Sequence, residues 1–175
     1  MTDTRITYRD ATLEDGPALD AMARKIWLET FEHSASAEDI ALYVGEAYGP
    51  AGKLIAAMAD PAHHFRLACA GDAIAGYVKL SSVWLEAPAL LPGALQLSQL
   101  YVATPFHGSG IAQALMAWTI DTARSRGATA LVLTVWENND RAKRFYDRYG
   151  FVHIGDYAFP TGNQIDRDLI MQLVL

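Results

Sequence analysis

A short glycine-containing segment, residues 107–112 with the sequence His-Gly-Ser-Gly-Ile-Ala, has the composition of an anion-binding turn. It follows the apolar run 97–102 and precedes a stretch with helical hydrophobic spacing, so it joins a predicted strand to a predicted helix. Glycine lets the backbone approach a ligand closely, and the first N–H groups of a helix have no partner within that helix. The helix dipole also favours negative charge, so the segment predicts a site for a phosphate or pyrophosphate.

Taken alone, two glycines at this spacing also fit a helix start that simply needs a flexible turn. The segment is not a P-loop, because no Gly-Lys-Ser/Thr follows it. It also lacks the third glycine of the dinucleotide-binding fingerprint. The residues around it therefore have to decide between the two interpretations.

A second motif lies about one helix and one strand further along the chain. Residues 131–136 form an apolar run that predicts a strand, and Asn139 then opens a predicted helix that Gly150 closes. The pattern of residues 139–151 is Asn-x-x-Ala-x-x-Phe-Tyr-x-x-x-Gly-Phe. Together, this pattern and residues 107–112 resemble the two signature blocks of the Gcn5-related N-acetyltransferase superfamily. The order and separation of the two blocks are more specific than either block alone.

The resemblance implies an α/β fold with a mixed, largely antiparallel twisted sheet, helices on both faces and a splayed pair of central strands. Hydrophobic patterning along the chain predicts the order β, α, α, β, β, β, α, β, α, β, β, with a further short helix at Lys53–Ala59. Ser36 is a predicted helix cap, and Thr12 is a predicted helix start. With no repeat, low-complexity tract or linker, we expect one N-acetyltransferase domain over residues 1–175.

The resemblance also implies acetyl-CoA or coenzyme A as the cofactor, lying where the two central strands splay apart. Main-chain amides of the glycine segment would hold the pyrophosphate, and the free edge of the preceding strand would bond the pantetheine arm. No metal is expected. The implied cofactor-binding residues are Leu100, Tyr101, Val102, His107, Gly108, Ser109, Gly110, Ile111, Ala112, Asn139, Ala142, Phe145 and Tyr146.

Two positions depart from the superfamily pattern. His107 stands where Gln or Arg is usual, and its side chain can either contact phosphate or remain a partly exposed turn residue. Ala112 stands where a third glycine is frequent, and alanine is small enough to allow the same close approach.

Acetyl transfer to an amine needs a proton acceptor and a proton donor, since only about one alkylamine in a thousand is neutral at pH 7. Tyr146 is the candidate general acid, because the matching tyrosine of the superfamily commonly lies beside the sulfur; the alternative is a packing role. Direct attack of the amine is expected, because Cys69 lies in an apolar strand with no His or Asp beside it.

The general base is less evident from the sequence. Members of the superfamily often carry a glutamate near the positions of Gln96 and Ser98, which are uncharged here. The alternatives are Glu29, Glu32 and His33, at the end of the first predicted helix.

The chain as a whole resembles the Pai-type spermine/spermidine acetyltransferase branch, through residues 29–31, 75–79, 135–139 and 168–171. That resemblance implies a polyamine substrate, which carboxylates and aromatic faces would bind. The alternatives are an amino acid, an antibiotic or a protein N-terminus as acceptor, or a non-catalytic acyl-CoA-binding regulator. The candidate substrate residues are Trp27, Glu29, Phe31, Tyr77 and Trp84.

Composition narrows the partners and the compartment. A chain of 175 residues that is 51% hydrophobic can bury a substantial core, and its net charge of −6 argues against nucleic acid as a partner. No apolar run is long enough to span a bilayer and no signal peptide is evident, so we expect no membrane association. The single cysteine fits the cytoplasm. The apolar loop 81–93 is expected to be a lid or part of a homodimer interface.

Overall fold

The computed structural model of the protein describes residues 5–175, so residues 1–4 of the expected domain lie outside the described part. The strands are β1 (Ile6–Asp10), β2 (His63–Ala70), β3 (Ala73–Ser82), β4 (Leu95–Val102), β5 (Ala130–Trp136), β6 (Val152–Thr161) and β7 (Gln164–Val174). The helices are α1 (Gly16–Phe31), α2 (Ala37–Ala47), α3 (Lys53–Ala59), α4 (Ile111–Ser125) and α5 (Asp140–Tyr149).

The strands form one seven-stranded sheet in the order β1-β2-β3-β4-β5-β7-β6. Neighbouring strands are antiparallel except β4 and β5, which are parallel because α4 carries the chain across between them. Helices α1–α3 pack on one face, in a core that includes Leu19, Trp27 and Leu67. Helices α4 and α5 cover the other face, where Leu115 meets Leu131. The predicted fold class is confirmed.

The predicted helix cap at Ser36 is confirmed, whereas the predicted α-helix start at Thr12 is wrong. Ser36 caps α2, since its hydroxyl accepts a hydrogen bond from the Asp39 N–H at 3.1 Å. Near Thr12 the chain first forms a short 3-10 turn, and α1 begins only at Gly16. The Asp15 carboxylate accepts a hydrogen bond from the Thr12 N–H at 2.7 Å, which closes the turn before the α-helix starts.

Strands β4 and β5 diverge after only two residue pairs. Leu95 is opposite Leu131 and Gln96 is opposite Val132, and no further pair joins the two strands. Ser98 is an extra residue in the register between β4 and β3, and its hydroxyl is 2.7 Å from that of Ser81. Such a bulge bends its strand and increases the local twist, so β4 turns away from β5 at this point. The splayed pair of central strands is therefore present.

The turn between β6 and β7 is hydrogen-bonded to the α1–α2 connection and to the first turn of α2. The Asn163 N–H donates to Asp39 Oδ1 at 2.7 Å, and Gln164 Nε2 donates to the Ser34 carbonyl at 2.7 Å. Gly162 allows this approach, because a Cβ at that position would lie 2.5 Å from the Asp39 Cα. These contacts, named here the hairpin clasp, hold the tips of β6 and β7 beside α1 and α2.

The apolar loop before β4 covers one end of the sheet. Leu85 is buried against Val132 and Ile170, which accounts for part of the loop's apolar character. Trp84 is 54% exposed, and its ring lies 5.1 Å from that of Tyr157, edge to face. The homodimer expected from this loop stays a prediction. No helix within residues 5–175 is both long and apolar enough to cross a bilayer.

We predict that Gly76→Ala destabilises the protein by about 1–3 kcal/mol, because it overpacks the contact between β3 and the start of α4. An added Cβ would lie 2.9 Å from Ile111 Cγ2 and 3.0 Å from the Tyr101 carbonyl oxygen. Thermal unfolding measures the effect. Gly45→Ala in α2 is the control, since no atom lies within 4 Å of the added Cβ and alanine favours a helix. Equal stability of the two variants would contradict the prediction.

Candidate functional site

A cleft of about 650 Å³ opens where β4 and β5 separate. Its walls come from α1, α2, β4, β5, the start of α4, α5 and the β6–β7 hairpin. This volume is ordinary for a ligand site, and such sites are often found where neighbouring elements diverge. One end is rich in backbone N–H groups, and the other is rich in aromatic rings and carboxylates.

The N–H-rich end is the glycine segment. Gly108 and Gly110 have φ angles of +80° and +86°, which other residues adopt only at a cost, and the space beside their Cα atoms is open within 4 Å. The first hydrogen bond of α4 runs from the Ala114 N–H to the Gly110 carbonyl at 3.0 Å. Among the described residues, no protein group accepts a hydrogen bond from the N–H groups of Gly108, Gly110, Ile111, Ala112 or Gln113. These donors meet at the positive end of the helix, where an anion is favoured.

Ser109 does not share this role with its neighbours. It does not line the cleft. Its N–H and its hydroxyl both donate to the Phe106 carbonyl, at 3.3 Å and 2.6 Å. The prediction that Ser109 binds the cofactor is therefore not supported by its position, because its polar groups are used to close the turn.

His107 holds an arginine at the mouth of the cleft. His107 Nε2 lies 2.8 Å from the Val102 carbonyl oxygen, and Arg141 Nη1 lies 2.6 Å from His107 Nδ1. Both contacts are hydrogen bonds when the proton of the neutral ring is on Nε2, so we assign that tautomer from its partners. The positive group next to the N–H donors is thus Arg141, which sequence reasoning missed. The one sequence feature that could have indicated Arg141 is its place in the first turn of the helix that carries the second motif.

The free edge of β4 forms one side of the cleft. Leu100, Tyr101 and Val102 all line it, and beyond Gln96 β4 is paired only with β3, on its opposite edge. The Val102 carbonyl already accepts from His107, so the groups left for an extended ligand belong to residues 97–101. The Tyr101 ring is turned toward the α1–α3 side, edge-on to Tyr77 at 5.6 Å.

Helix α5 presents Asn139, Ala142, Phe145 and Tyr146 to the cleft. Asn139 Oδ1 accepts from the Ala142 N–H at 3.2 Å, so it caps the helix and leaves the amide Nδ2 as a donor. Tyr146 is 9% exposed, and burial raises the pKa of its hydroxyl above the ordinary value. The hydroxyl consequently stays protonated at neutral pH and can donate a proton or a hydrogen bond.

Five aromatic rings form a continuous wall at the other end. Trp27 stacks on Tyr43 at 4.3 Å and lies 5.3 Å from Phe31, Phe31 lies 5.6 Å from Trp136, and Tyr43 lies 5.5 Å from Phe159. All five line the cleft. Aromatic faces attract organic cations. The sequence predicted Trp27 and Phe31, and it missed the three rings that α2, β5 and β6 bring to the same place.

Three carboxylates accompany these rings. Glu29 lies at the rim, where its Oε2 accepts from the Thr104 hydroxyl at 3.0 Å. Asp166 accepts from Thr161 Oγ1 and Gln164 Nε2, both at 2.8 Å. Asp168 also lines the cleft and is not among the residues that the sequence indicated.

Asp168 is the most buried of the three carboxylates. It is 7% exposed and lies opposite Trp136 in the pairing of β7 with β5. Burial raises the pKa of Asp168 to about 7, with a further contribution from the charges of Asp166 and Glu137 and a partial offset from the Thr134 hydroxyl. At neutral pH this carboxyl group is therefore close to half protonated.

Two predicted substrate residues lie outside the cleft. Tyr77 is fully buried in the core beneath α1–α3, and its hydroxyl donates to Gln99 Oε1 at 3.0 Å. Trp84 belongs to the loop that covers the far end of the sheet, and no residue of that loop lines the cleft. Neither side chain is placed to contact a substrate, and the loop is not a lid over this site.

Two of the three candidate bases on α1 are also misplaced. Glu32 and His33 lie past the point where the helix meets the cleft, and neither lines it. Their side chains face outward and lie 3.4 Å from each other. Within residues 5–175, no group of three or more His, Cys, Asp or Glu side chains is placed to hold a metal ion.

Known proteins with similar sequences are N-acetyltransferases. A family model described as the acetyltransferase (GNAT) family matches residues 21–151. The chain is 26% identical over 175 residues to an uncharacterized N-acetyltransferase of Lactobacillus delbrueckii subsp. lactis, covering 100% of this chain and 99% of that protein. It is 27% identical over 143 residues to the aminoalkylphosphonate N-acetyltransferase of Salmonella typhimurium, covering 82% of each.

The fold has close structural neighbours as well. The crystal structure of the PaiA N-acetyltransferase from Thermoplasma acidophilum in complex with coenzyme A aligns with a TM-score of 0.74 at 20% identity, covering 98% of this chain and 99% of that chain. The family match takes in both the glycine segment and the start of α5, which build the N–H-rich end of the cleft. The chain therefore belongs to the acetyltransferase (GNAT) family.

Proposed function

We propose that the protein transfers the acetyl group of acetyl-CoA directly to a primary amine of a small cationic molecule, with a polyamine as the first candidate and Tyr146 as general acid. One observation carries the proposal. A single cleft joins a row of free backbone N–H groups to a pocket of aromatic rings and carboxylates. The first end suits a diphosphate, and the second suits an ammonium group.

The cofactor end of the cleft has the backbone N–H donors and the free strand edge that coenzyme A requires. The open N–H groups of Gly108 and of residues 110–113 suit the diphosphate, and the guanidinium of Arg141 adds positive charge beside them. The free edge of residues 97–101 suits the amide groups of an extended arm, as a peptide adds to a sheet edge. When bound, acetyl-CoA supplies an activated acetyl thioester.

The acceptor end favours a cation over an anion. Asp166 and Asp168 line it together with the rim residue Glu29, and the five rings complete its wall. A polyamine carries several ammonium groups, so it can use more than one of these carboxylates at once. The phosphonate of an aminoalkylphosphonate, the substrate in the name of one relative, would face the same carboxylates and be repelled.

Tyr146 has the properties that a general acid needs. The thiolate that leaves the thioester is stabilised by a proton, and a buried, fully protonated phenol in the cleft can supply it. Phe145 and Phe151 hold the ring edge-on, with centroids 5.5 Å and 5.6 Å away, which fixes its direction.

The first test is a panel of amines with acetyl-CoA, read by release of free thiol. We expect spermidine and spermine to be acetylated with a kcat/KM at least about tenfold above that of amino acids and aminoalkylphosphonates, a difference of about 1.4 kcal/mol. Binding of coenzyme A without thiol release from any amine would instead favour a regulator. Preference for an anionic amine would contradict the reading of the acceptor end.

The second test replaces the proposed acid. Tyr146→Phe is expected to lower kcat by about 100-fold while leaving the KM for acetyl-CoA nearly unchanged, because only the proton donor is lost. Tyr149→Phe removes a hydroxyl from the same helix outside the cleft and is the matched control. Undiminished turnover of Tyr146→Phe would remove the tyrosine from the mechanism.

The third test concerns the N–H-rich end. Gly110→Ala is expected to weaken coenzyme A binding about tenfold in calorimetric titration, since the positive φ angle that aims the N–H groups becomes strained. Gly71→Ala imposes the same kind of strain in the β2–β3 turn, at a φ of +61° with open space around it. Both variants should lose about 1 kcal/mol of stability. Equal coenzyme A affinities would show that the Gly110 turn does not bind the diphosphate.

A further inference from the structure

The central strand offers no base for the amine. Gln96, on β4, is 1% exposed, and its Oε1 accepts from the Trp84 N–H at 3.2 Å. Ser98, the bulge residue, is hydrogen-bonded to Ser81 at 2.7 Å. Both side chains hold neighbouring backbone or strands in place, and neither carries a carboxylate. Strand β4 therefore supplies no carboxylate to accept the proton.

The three carboxylates of the acceptor end differ in the partners they already have. Glu29 lies 3.8 Å from Lys25 and accepts from Thr104, and Asp166 accepts from Thr161 and Gln164. Within residues 5–175, Asp168 forms no ion pair. Among the groups of the described residues that shift its pKa, the Thr134 hydroxyl alone favours the charged form. A buried carboxylate with no cation of its own gains most from an ammonium group placed beside it.

The titratable groups that interact with Asp168 are carboxylates and phenols. Asp166 precedes it by two residues on β7, and Glu137, which follows β5, is itself paired with Arg167 at 3.2 Å. Tyr43 and Tyr101 approach it from α2 and β4. Burial raises the pKa of Asp168 to about 7. A base with a pKa near the working pH is the most effective at removing a proton under those conditions.

We propose that Asp168 is the catalytic base, which binds the substrate ammonium at the acceptor end of the cleft and removes its proton before acetyl transfer. This inference rests on the acetyltransferase function proposed above. It follows from the position of Asp168 in the cleft wall, the absence of a carboxylate on β4, and the absence of an ion pair to Asp168 among the described residues. Arg141 and Arg148 also line the cleft, and neither is paired with Asp168. The register places Asp168 on the same face as Trp136, so the base lies beside an aromatic ring that can hold the cation.

The proton balance assigns one task to each of two side chains. Asp168 takes one proton from the ammonium, which leaves the nitrogen with a lone pair. That lone pair forms the carbon–nitrogen bond as the carbon–sulfur bond breaks and its electron pair stays on sulfur. Tyr146 gives its proton to the sulfur. The nitrogen then loses a second proton, which returns to the Tyr146 oxygen. The proton on Asp168 passes to water, so the products are an amide, a thiol and one released proton.

The test compares wild type, Asp168→Asn and the control Asp72→Asn, which removes the same charge from the exposed β2–β3 turn. With a polyamine, we expect kcat/KM of wild type to rise through about pH 7, and we expect Asp168→Asn to lose this rise and to lower kcat by about 100-fold. With an arylamine or a hydroxylamine, already neutral at pH 7, the variant should lose much less. Asp72→Asn should match wild type throughout.

A separate readout requires no turnover. Asp168 has a folded-state pKa of about 7 against an ordinary value of 3.8, so the folded protein holds the proton more tightly than the unfolded chain. Stability is therefore lost as the pH rises from about 4 to about 7. The thermal midpoint of Asp168→Asn, relative to wild type, should be higher at pH 8 than at pH 4. The same scan shows whether the variant is folded.

The outcomes separate the two proposals. Thiol release by wild type, with an Asp168→Asn variant that keeps its kcat and its pH profile, would overturn the role of Asp168 alone. A higher KM for polyamine with unchanged kcat would also overturn it as a base and leave it as a cation anchor. No thiol release by wild type with any amine would overturn the proposed function and the base together.

Discussion

The early separation of β4 from β5 is the constraint on which the site depends. Two parallel strands that remained paired would use each other's N–H and C=O groups and leave no edge for a ligand. The bulge at Ser98 turns β4 away after Gln96, and the hydroxyl of Ser81 fixes the bulge. The main-chain groups exposed by this separation lie in a cleft wall, where an extended molecule can satisfy them. The cofactor end is thus a consequence of how the sheet bends.

Burial has different consequences for Tyr146 and Asp168, the two side chains proposed as general acid and base. Both Tyr146 and Asp168 are nearly enclosed, and in each case loss of water disfavours the charged form and raises the pKa. For a phenol, which is neutral already, this secures a proton donor at every working pH. For a carboxyl group, it moves the titration from the acidic range to about neutrality, where the group can exchange a proton with an amine. The same physical cause, burial, therefore accounts for the protonation states that the proposed acid and the proposed base require.

Sequence reasoning captured what local patterns encode. The strands, the helices and the glycine turn follow from periodicity and from residues with special backbone preferences, and the structure places them as predicted except at the start of α1. The acceptor end was predicted poorly, because sheet order and the packing of distant elements bring Tyr43, Phe159 and Asp168 into the same cleft as Trp27. The alternation of side chains along a strand shows which residues share a face of the sheet, but not what covers that face. Tyr77 was therefore wrongly predicted to contact substrate, because helices α1–α3 bury it.

The chain builds the cofactor end and the acceptor end of the cleft from different segments, and the hairpin clasp belongs to the acceptor end. The cofactor end is built by a continuous central stretch, from β4 to α5, whereas the acceptor end joins α1 and α2 to a hairpin at the other end of the sequence. Asn163 bonds to the first turn of α2 and Gln164 to the α1–α2 connection, and these contacts hold the remote segments together. Mutations there can reshape the acceptor end while the central stretch stays intact. Such an arrangement lets descendants of one ancestral catalyst diversify toward new substrates without rebuilding the machinery they inherit.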